Sequence, residues 1–405
     1  MSSGGKVVSA QLGFGDAELT SYREADTIAR IDAAHNLAGL TRLLFLPTYN
    51  ARLNQAVIDH CRRRGIEIYL WYKVLADNDI IADNDELIEN AWGNKGIGES
   101  GVWQPIFNLE ESYLFGCPRN RRYNNLLLNR CRQQLADYDG LFIDAVGFPL
   151  PSVGLESIFS CFCPACREAE PRLEQWRHHV LELREFMVSA SDTDLEKWDR
   201  LQDMEEAFGL GEFFAFRIQS ITRLAERYAA LAREMRKGIG IDTITPAMAR
   251  MSGHDYRELG KLGDWLKPRV YFRFFGPSCL PLELYSLAKG IREWGKRCTI
   301  PAILGVIGRS TDLEIPRNIH ALSQNRLPDS VVRHEVAAAA KATDCPIHPG
   351  LELSIHPEYE STARKASVPD FFELAKDSPG LVMCWNLLHI PESNLRRLGE
   401  ALRRS

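Results

Sequence analysis

The sequence has no stretch approaching the roughly eighteen consecutive apolar residues that mark a membrane-spanning helix, which argues against an integral membrane protein. Its opening, MSSGGKVVSAQLGFG, lacks the apolar run of a secretory leader, so a cytoplasmic chain is expected. Basic excess is missing too. The 49 Lys and Arg stand against 54 Asp and Glu for a net charge of -5, which gives no electrostatic case for nucleic acid. LGFGDAE occupies the place where a dinucleotide-binding sheet carries G-x-G-x-x-G, and this disfavours that fold. No His-x-His pair occurs, which counts against a hydrolytic metal centre. Repeats, low-complexity tracts and flexible linkers are also lacking.

What is present is alternation. Apolar runs rich in β-branched and aromatic residues fall at 6–15, 41–50, 66–76, 138–149, 238–248, 264–275, 347–357 and 380–391. Helical patterns separate them, among them SYREADTIARIDAAHNLAG and ARLNQAVIDHCRRRG, and a closing helix is expected at ESNLRRLGEALRRS. Eight strands in series with helices between them fit a (β/α)8 TIM barrel, with a doubly wound sheet as the weaker alternative. The expectation is one barrel domain over 1–405, with 150–210 inserted after strand 4 as a helical, zinc-clamped subdomain over the barrel mouth. Beyond it, Phe214, Ile218, Ile221, Leu224, Tyr228, Leu231 and Met235 step by three and four, the pattern of a helix packed on the barrel.

Ten cysteines in a reducing compartment read as buried thiols or metal ligands rather than disulfides. Cys161, Cys163 and Cys166 have the C-x-C-x-x-C spacing of a tight loop that converges on one cation. A closed tetrahedral site needs a fourth thiolate. Cys117, in LFGCPRNRRYNN, is expected in the loop after strand 3, beside the loop after strand 4. Cys131 competes, but its helical setting favours a core-facing thiol. The expected cofactor is one structural Zn2+ on Cys117, Cys161, Cys163 and Cys166; the bland alternative is four thiols that only pack.

One cysteine after strand 3 followed by C-x-C-x-x-C after strand 4 resembles the zinc site of family 42 β-galactosidases, which are (β/α)8 glycoside hydrolases. The likeness leaves out their catalytic signature, since that family carries Asn-Glu at the end of strand 4 and this chain has Ile143 and Asp144. More widely, CPRNRRYNNLLLNRC, YDGLFIDAVGFP, FSCFCPACREA, GHDYRELGKLGDWLKPRVYF, HPGLELS and GLVMCWNLLH are similar, in order, to segments of poorly characterised bacterial glycoside-hydrolase-like barrels. The resemblance implies the barrel fold and, by analogy, a glycosidase.

Barrel enzymes place their chemistry at the C-terminal ends of strands. Asp144 ends the apolar run GLFI, and Glu352, in HPGLELS, holds the comparable place on strand 7. A carboxylate at each position fits the acid/base pair of a glycosidase. Asp242, on strand 5, is the main rival. Trp71, Tyr72, Tyr271, Arg273, Trp385 and Asn386 are expected to supply flat faces and hydrogen bonds for a sugar, with core packing as the competing role for the aromatics. The leading expectation is therefore a glycoside hydrolase acting on a small oligosaccharide through Asp144 and Glu352. Its rival is a carbohydrate-binding barrel without hydrolytic activity. The expected partner is an oligosaccharide or glycoside, with nucleic acid and membranes excluded and a homo-oligomer left open.

Overall fold

The computed structural model describes residues 6–15, 19, 23–76, 85–96, 114–324, 327–328, 330–354, 377–384 and 386–404. Eight parallel strands close into a barrel in chain order. They are β1 (Val7–Leu12), β2 (Arg42–Phe45), β3 (Glu67–Lys73), β4 (Gly140–Asp144), β5 (Gly238–Ile244), β6 (Trp265–Arg269), β7 (Gly350–Glu352) and β8 (Gly380–Cys384). Each lies inside one of the eight apolar runs. The strands are shorter than the runs because the runs continue into the loops at the barrel mouth.

The strands are apolar on both faces because one face meets the helices and the other fills the barrel. The inner face, joined by Tyr271, Phe274 and Cys279 from the segment after β6, forms a separate cluster with Leu44, Tyr69, Trp71, Phe142, Trp265, Val382 and Cys384. Two glycines make room for its largest members. A Cβ on Gly240 would lie 2.1 Å from the Trp265 ring, and one on Gly140 would lie 2.3 Å from the Tyr69 ring. Freed of those clashes, Trp265 stacks on Phe142 with ring centres 5.4 Å apart. Above this floor the period-2 alternation of strands carries Lys73, Asp144, Asp242, Lys267 and Arg269 toward the mouth.

Helices α1 (Glu24–Ala38), α2 (Ala51–Arg64) and α3 (Arg121–Leu135) separate the first four strands. Asn50 and Asn120 cap α2 and α3 by accepting from Leu53 and Tyr123 backbone N–H at 3.1 and 3.0 Å. Between β4 and β5 come α4 (Pro164–Ala169), α5 (Leu173–Ser189), α6 (Asp192–Glu196), α7 (Leu201–Ala207) and the long α8 (Gly211–Glu234). Phe214, Ile221, Leu224, Tyr228 and Leu231 are buried on α8, as its periodicity predicts.

After β5 come α9 (Pro246–Ser252) and α10 (Tyr256–Gly260). A second long excursion, which the apolar periodicity left unparsed, lies between β6 and β7 as α11 (Leu280–Trp294), α12 (Ile300–Thr311), α13 (Ile319–Ser323) and α14 (Ser330–Ala342). It leans on the first: Thr299 donates to Asp192 at 2.5 and 2.8 Å, and Leu201 N–H donates to Ser310 Oγ at 2.7 Å. Helix α15 (Glu392–Arg403) closes the chain. Among the described residues no helix is long and apolar enough to cross a membrane.

Candidate functional site

A cavity of about 210 Å³ opens at the C-terminal ends of the strands. Gln11 of β1, Trp71 and Lys73 of β3, Asp144 of β4, Asp242 of β5 and Lys267 and Arg269 of β6 line it, with Tyr271 just beyond β6 and Phe148 from the loop after β4. This is the face where barrel loops converge.

Its core is a closed set of charges. Arg269 sends Nη2 to Asp144 and Nε to Asp242, so one guanidinium holds both carboxylates. Lys267 Nζ donates to Asp242 at 2.7 Å and meets the Tyr271 hydroxyl at 2.7 Å. Asp144 also accepts from Trp71 Nε1 at 2.7 Å and from Ala145 N–H at 2.5 Å. Two anions face two cations, which is how a protein keeps such groups out of water without a net buried charge.

The two carboxylates are driven apart in acidity. Burial pushes Asp144 up, but Arg269, the bond with Asp242, Lys267 and Trp71 together outweigh it and hold the group well below the usual carboxylate range. Burial prevails at Asp242, which is pushed up to about 6 against the pull of Arg269 and Lys267, with the neighbouring Asp144 adding to the rise.

The walls are tightly set. Ala145, directly after Asp144, and Ser278, whose hydroxyl accepts from Arg269 at 2.8 Å, both hold positive φ, at 51° and 63°. Such conformations cost energy in non-glycine residues and gather at functional sites. His254 accepts from Ile244 N–H through Nδ1 at 2.9 Å, so its Nε2–H donates to Val146 O at 3.2 Å. Burial pushes it down to about 4, and the neutral ring ties the loop after β4 to the end of β5.

The other predicted residues fall in different places. Tyr72 alternates with Trp71 and so points out of the barrel, where its hydroxyl donates to Leu127 O at 2.6 Å and its ring meets Tyr228. Glu352 is buried at the end of β7, and it does not line the cavity. Its carboxylate accepts from the backbone N–H groups of Phe272, Arg273 and Phe274 at 2.8, 2.7 and 3.3 Å, because the chain after β6 folds over the end of β7. Burial pushes Glu352 up to about 7 despite these donors. Arg273 lies beyond the end of β6 and donates to Glu352 O at 2.6 Å. Asn386 bonds Gly13 O and caps the turn Leu387–His389. Trp385 lies outside the described residues. Lys267 and Arg269 escaped the sequence reading, although two cations at alternate positions in an apolar strand are a usable signal.

The four cysteine sulfurs converge. Cys117, Cys161, Cys163 and Cys166 are all buried, with sulfurs within 4.8 Å of one another. Cys117 meets Cys163 at 3.4 Å and Cys166 at 3.5 Å. Tetrahedral ligands at about 2.3 Å from an ion lie about 3.8 Å apart, so the sulfurs are close to the spacing a metal would need. Cys131 instead faces the core from α3. The loops after β3 and β4 meet here through a backbone bond from Phe162 to Glu89 O at 2.7 Å, and a bond from Cys117 to Glu86 O, also 2.7 Å, folds the loop after β3 on itself. Arg119 N–H adds a bond to Cys117 Sγ at 3.4 Å.

No family model and no curated protein matches the sequence. Among solved structures, the chain is similar to the PgaB (BpsB) glycoside hydrolase domain of Bordetella bronchiseptica, at 11% identity and a TM-score of 0.42 over 90% of this chain and 99% of that one. It is similar to the spore cortex-lytic enzyme SleL of Bacillus megaterium QM B1551, at 10% identity and 0.40 over 97% and 73%. A third likeness is to a cycloisomaltooligosaccharide glucanotransferase of Paenibacillus sp., at 8% identity and 0.38 over 71% of this chain. The match spans 37% of that enzyme's length.

Proposed function

We propose that this chain is a glycoside hydrolase acting on a small or partly degraded oligosaccharide, with Asp144 and Asp242 as its working carboxylates. The observation that carries the proposal is one cavity, at the catalytic end of a barrel, in which two carboxylates share Arg269 and are pushed to opposite sides of the usual acidity. Such divergence separates an ionised nucleophile or base from a proton donor. Asp144 is the ionised partner and Asp242 the donor. Two carboxylates held on one guanidinium sit close together, which favours the short separation of retaining enzymes over the wider one of inverting enzymes. Trp71 and Tyr271 give the sugar apolar faces, and Lys267 and Gln11 hydrogen-bond its hydroxyls. Glu352 supports the segment that carries Tyr271.

The cysteine cluster fits one structural Zn2+, which would have no open position and take no part in the reaction. It would fix the junction of the loops after β3 and β4, near Asp144. A screen with chromogenic glycosides, followed by Asp144→Asn on the substrate found, tests the function. Binding of sugars without turnover in any of them would instead make the chain a carbohydrate-binding barrel.

A further inference from the structure

Arg217 lies on α8, one turn beyond Phe213 and Phe214, and is wholly buried. None of its three side-chain nitrogens has a hydrogen-bond partner among the described residues. Its surroundings are aromatic: the guanidinium carbon lies 4.5 Å from the ring centre of Phe148, 5.3 Å from Phe214 and 5.7 Å from Phe213. Ring faces attract a cation, but they do not replace the hydrogen bonds that a buried guanidinium gives up on leaving water. Burial pushes Arg217 down to about 9, so it remains charged at neutral pH.

The charges within reach do not balance it. Glu205 acts on Arg217 but is already bound by Arg250 Nε at 3.0 Å, so two cations share one anion. The other acidic side chain that acts on Arg217 is Cys161, a thiol of the cluster. Phe162, next to Cys161, stacks on Phe213 at 5.3 Å and joins the cysteine cluster to this turn of α8.

We infer that Arg217 is the counter-charge of a metal-loaded cysteine cluster. Four thiolates around a divalent ion carry a net charge of two minus, and a buried arginine close by balances part of it. The inference rests on the proposed metal site and explains what that site alone does not, namely why a cation without a hydrogen bond is kept in an apolar pocket beside neutral thiols.

The test compares the full chain with Arg217→Met, Arg217→Gln and Arg217→Lys. Zinc affinity is read by competition with a chelator, and the ligand set is checked by the thiolate absorption of the Co2+ form. Melting is measured with and without metal. Removing the charge should weaken zinc binding by about 10- to 100-fold, the range for partners just outside a metal's ligands, with the Co2+ spectrum unchanged. Lysine should retain most of the affinity. Stripped of metal, the Met variant should melt higher than the wild type; loaded, it should melt lower. Equal zinc affinity in the wild type and both neutral variants, or an equal rise in melting temperature on loading, overturns the inference. A wild-type chain that holds no metal overturns it along with the metal site itself, and that outcome is read without any variant. If the Met variant does not fold, Gln against Lys decides.

Discussion

The barrel mouth and the cysteine region both bury charge, and they balance it differently. At the mouth, Asp144 and Asp242 face Lys267 and Arg269, and every one of the four has an ionic partner. Around α8, Arg217 has no hydrogen bond among the described residues, and four buried thiols crowd together nearby. A self-balanced cluster can wait for a neutral ligand such as a sugar, whose hydroxyls exchange bonds with groups already paired. An unbalanced one is complete only with a charged guest. The same physical cost, removal of ions from water, thus points to a reaction site in one region and a permanent ion in the other.

The largest effect should come from breaking the mouth. Asp144→Asn removes the ionised carboxylate and should lower turnover by about 100- to 10,000-fold, measured as kcat on a substrate from the glycoside screen. Wild-type activity should fall as pH rises through about 6, because Asp242 must carry its proton. It should fall again in strong acid, below the ordinary carboxylate value of 3.8, as Asp144 protonates.

Arg269→Met leaves two buried carboxylates with only Lys267 to answer them. It should cost about 3–5 kcal/mol in denaturant unfolding at neutral pH, and adding Asp144→Asn should recover part of that loss. An Arg269→Met chain as stable as the wild type would undo the claim that the mouth is held by mutual balance. On the other side of the comparison, Cys163→Ser should reduce zinc in the purified chain from about one equivalent to a small fraction, measured by elemental analysis, and lower the melting temperature while leaving the mouth charges paired.

The smallest effect concerns Glu352. Its folded value of about 7 lies above its ordinary 4.5, so the folded chain keeps a proton that the unfolded chain releases. Stability from this group is therefore full below about 4.5, falls as pH rises toward 7, and is level beyond. Glu352→Gln should flatten that slope by of order 1–3 kcal/mol in unfolding experiments between pH 4.5 and 7.5. Glu283, also pushed up to about 7 by burial, and Asp242, pushed up to about 6, add to the same slope.

The strand sequence was readable because apolar runs and helical patterns alternate without a break, and because strands buried on both faces cannot hide. Acids at strand ends pointed to Asp144 with Glu352 as its partner and Asp242 as the rival, and the cysteine spacing pointed to one cluster. Less was readable where a run overshoots its strand. WLKPRVYFRFF offers two places for an arginine at the mouth, and only the end of β6 at Arg269 selects Arg269 over Arg273. The phase of alternation within β3 separates Trp71 from Tyr72, and neither composition nor spacing gives that phase. Glu352 shares the inward phase of β7 but is kept out of the cavity lining by backbone donors at 272–274, some 80 positions back, that converge on it, a contact invisible from HPGLELS. Arg217 interrupts the apolar face of α8 and reads as a flaw in the pattern until its neighbours are known.

The most direct test of the central claim sets Asp242→Asn beside Glu352→Gln, measuring kcat and melting temperature for both on one glycoside. The account predicts that Asp242→Asn loses at least about 100-fold in turnover while Glu352→Gln, once folded, retains most of it. Near-normal turnover in Asp242→Asn together with collapse in Glu352→Gln would contradict the account and move the proton donor from β5 to β7.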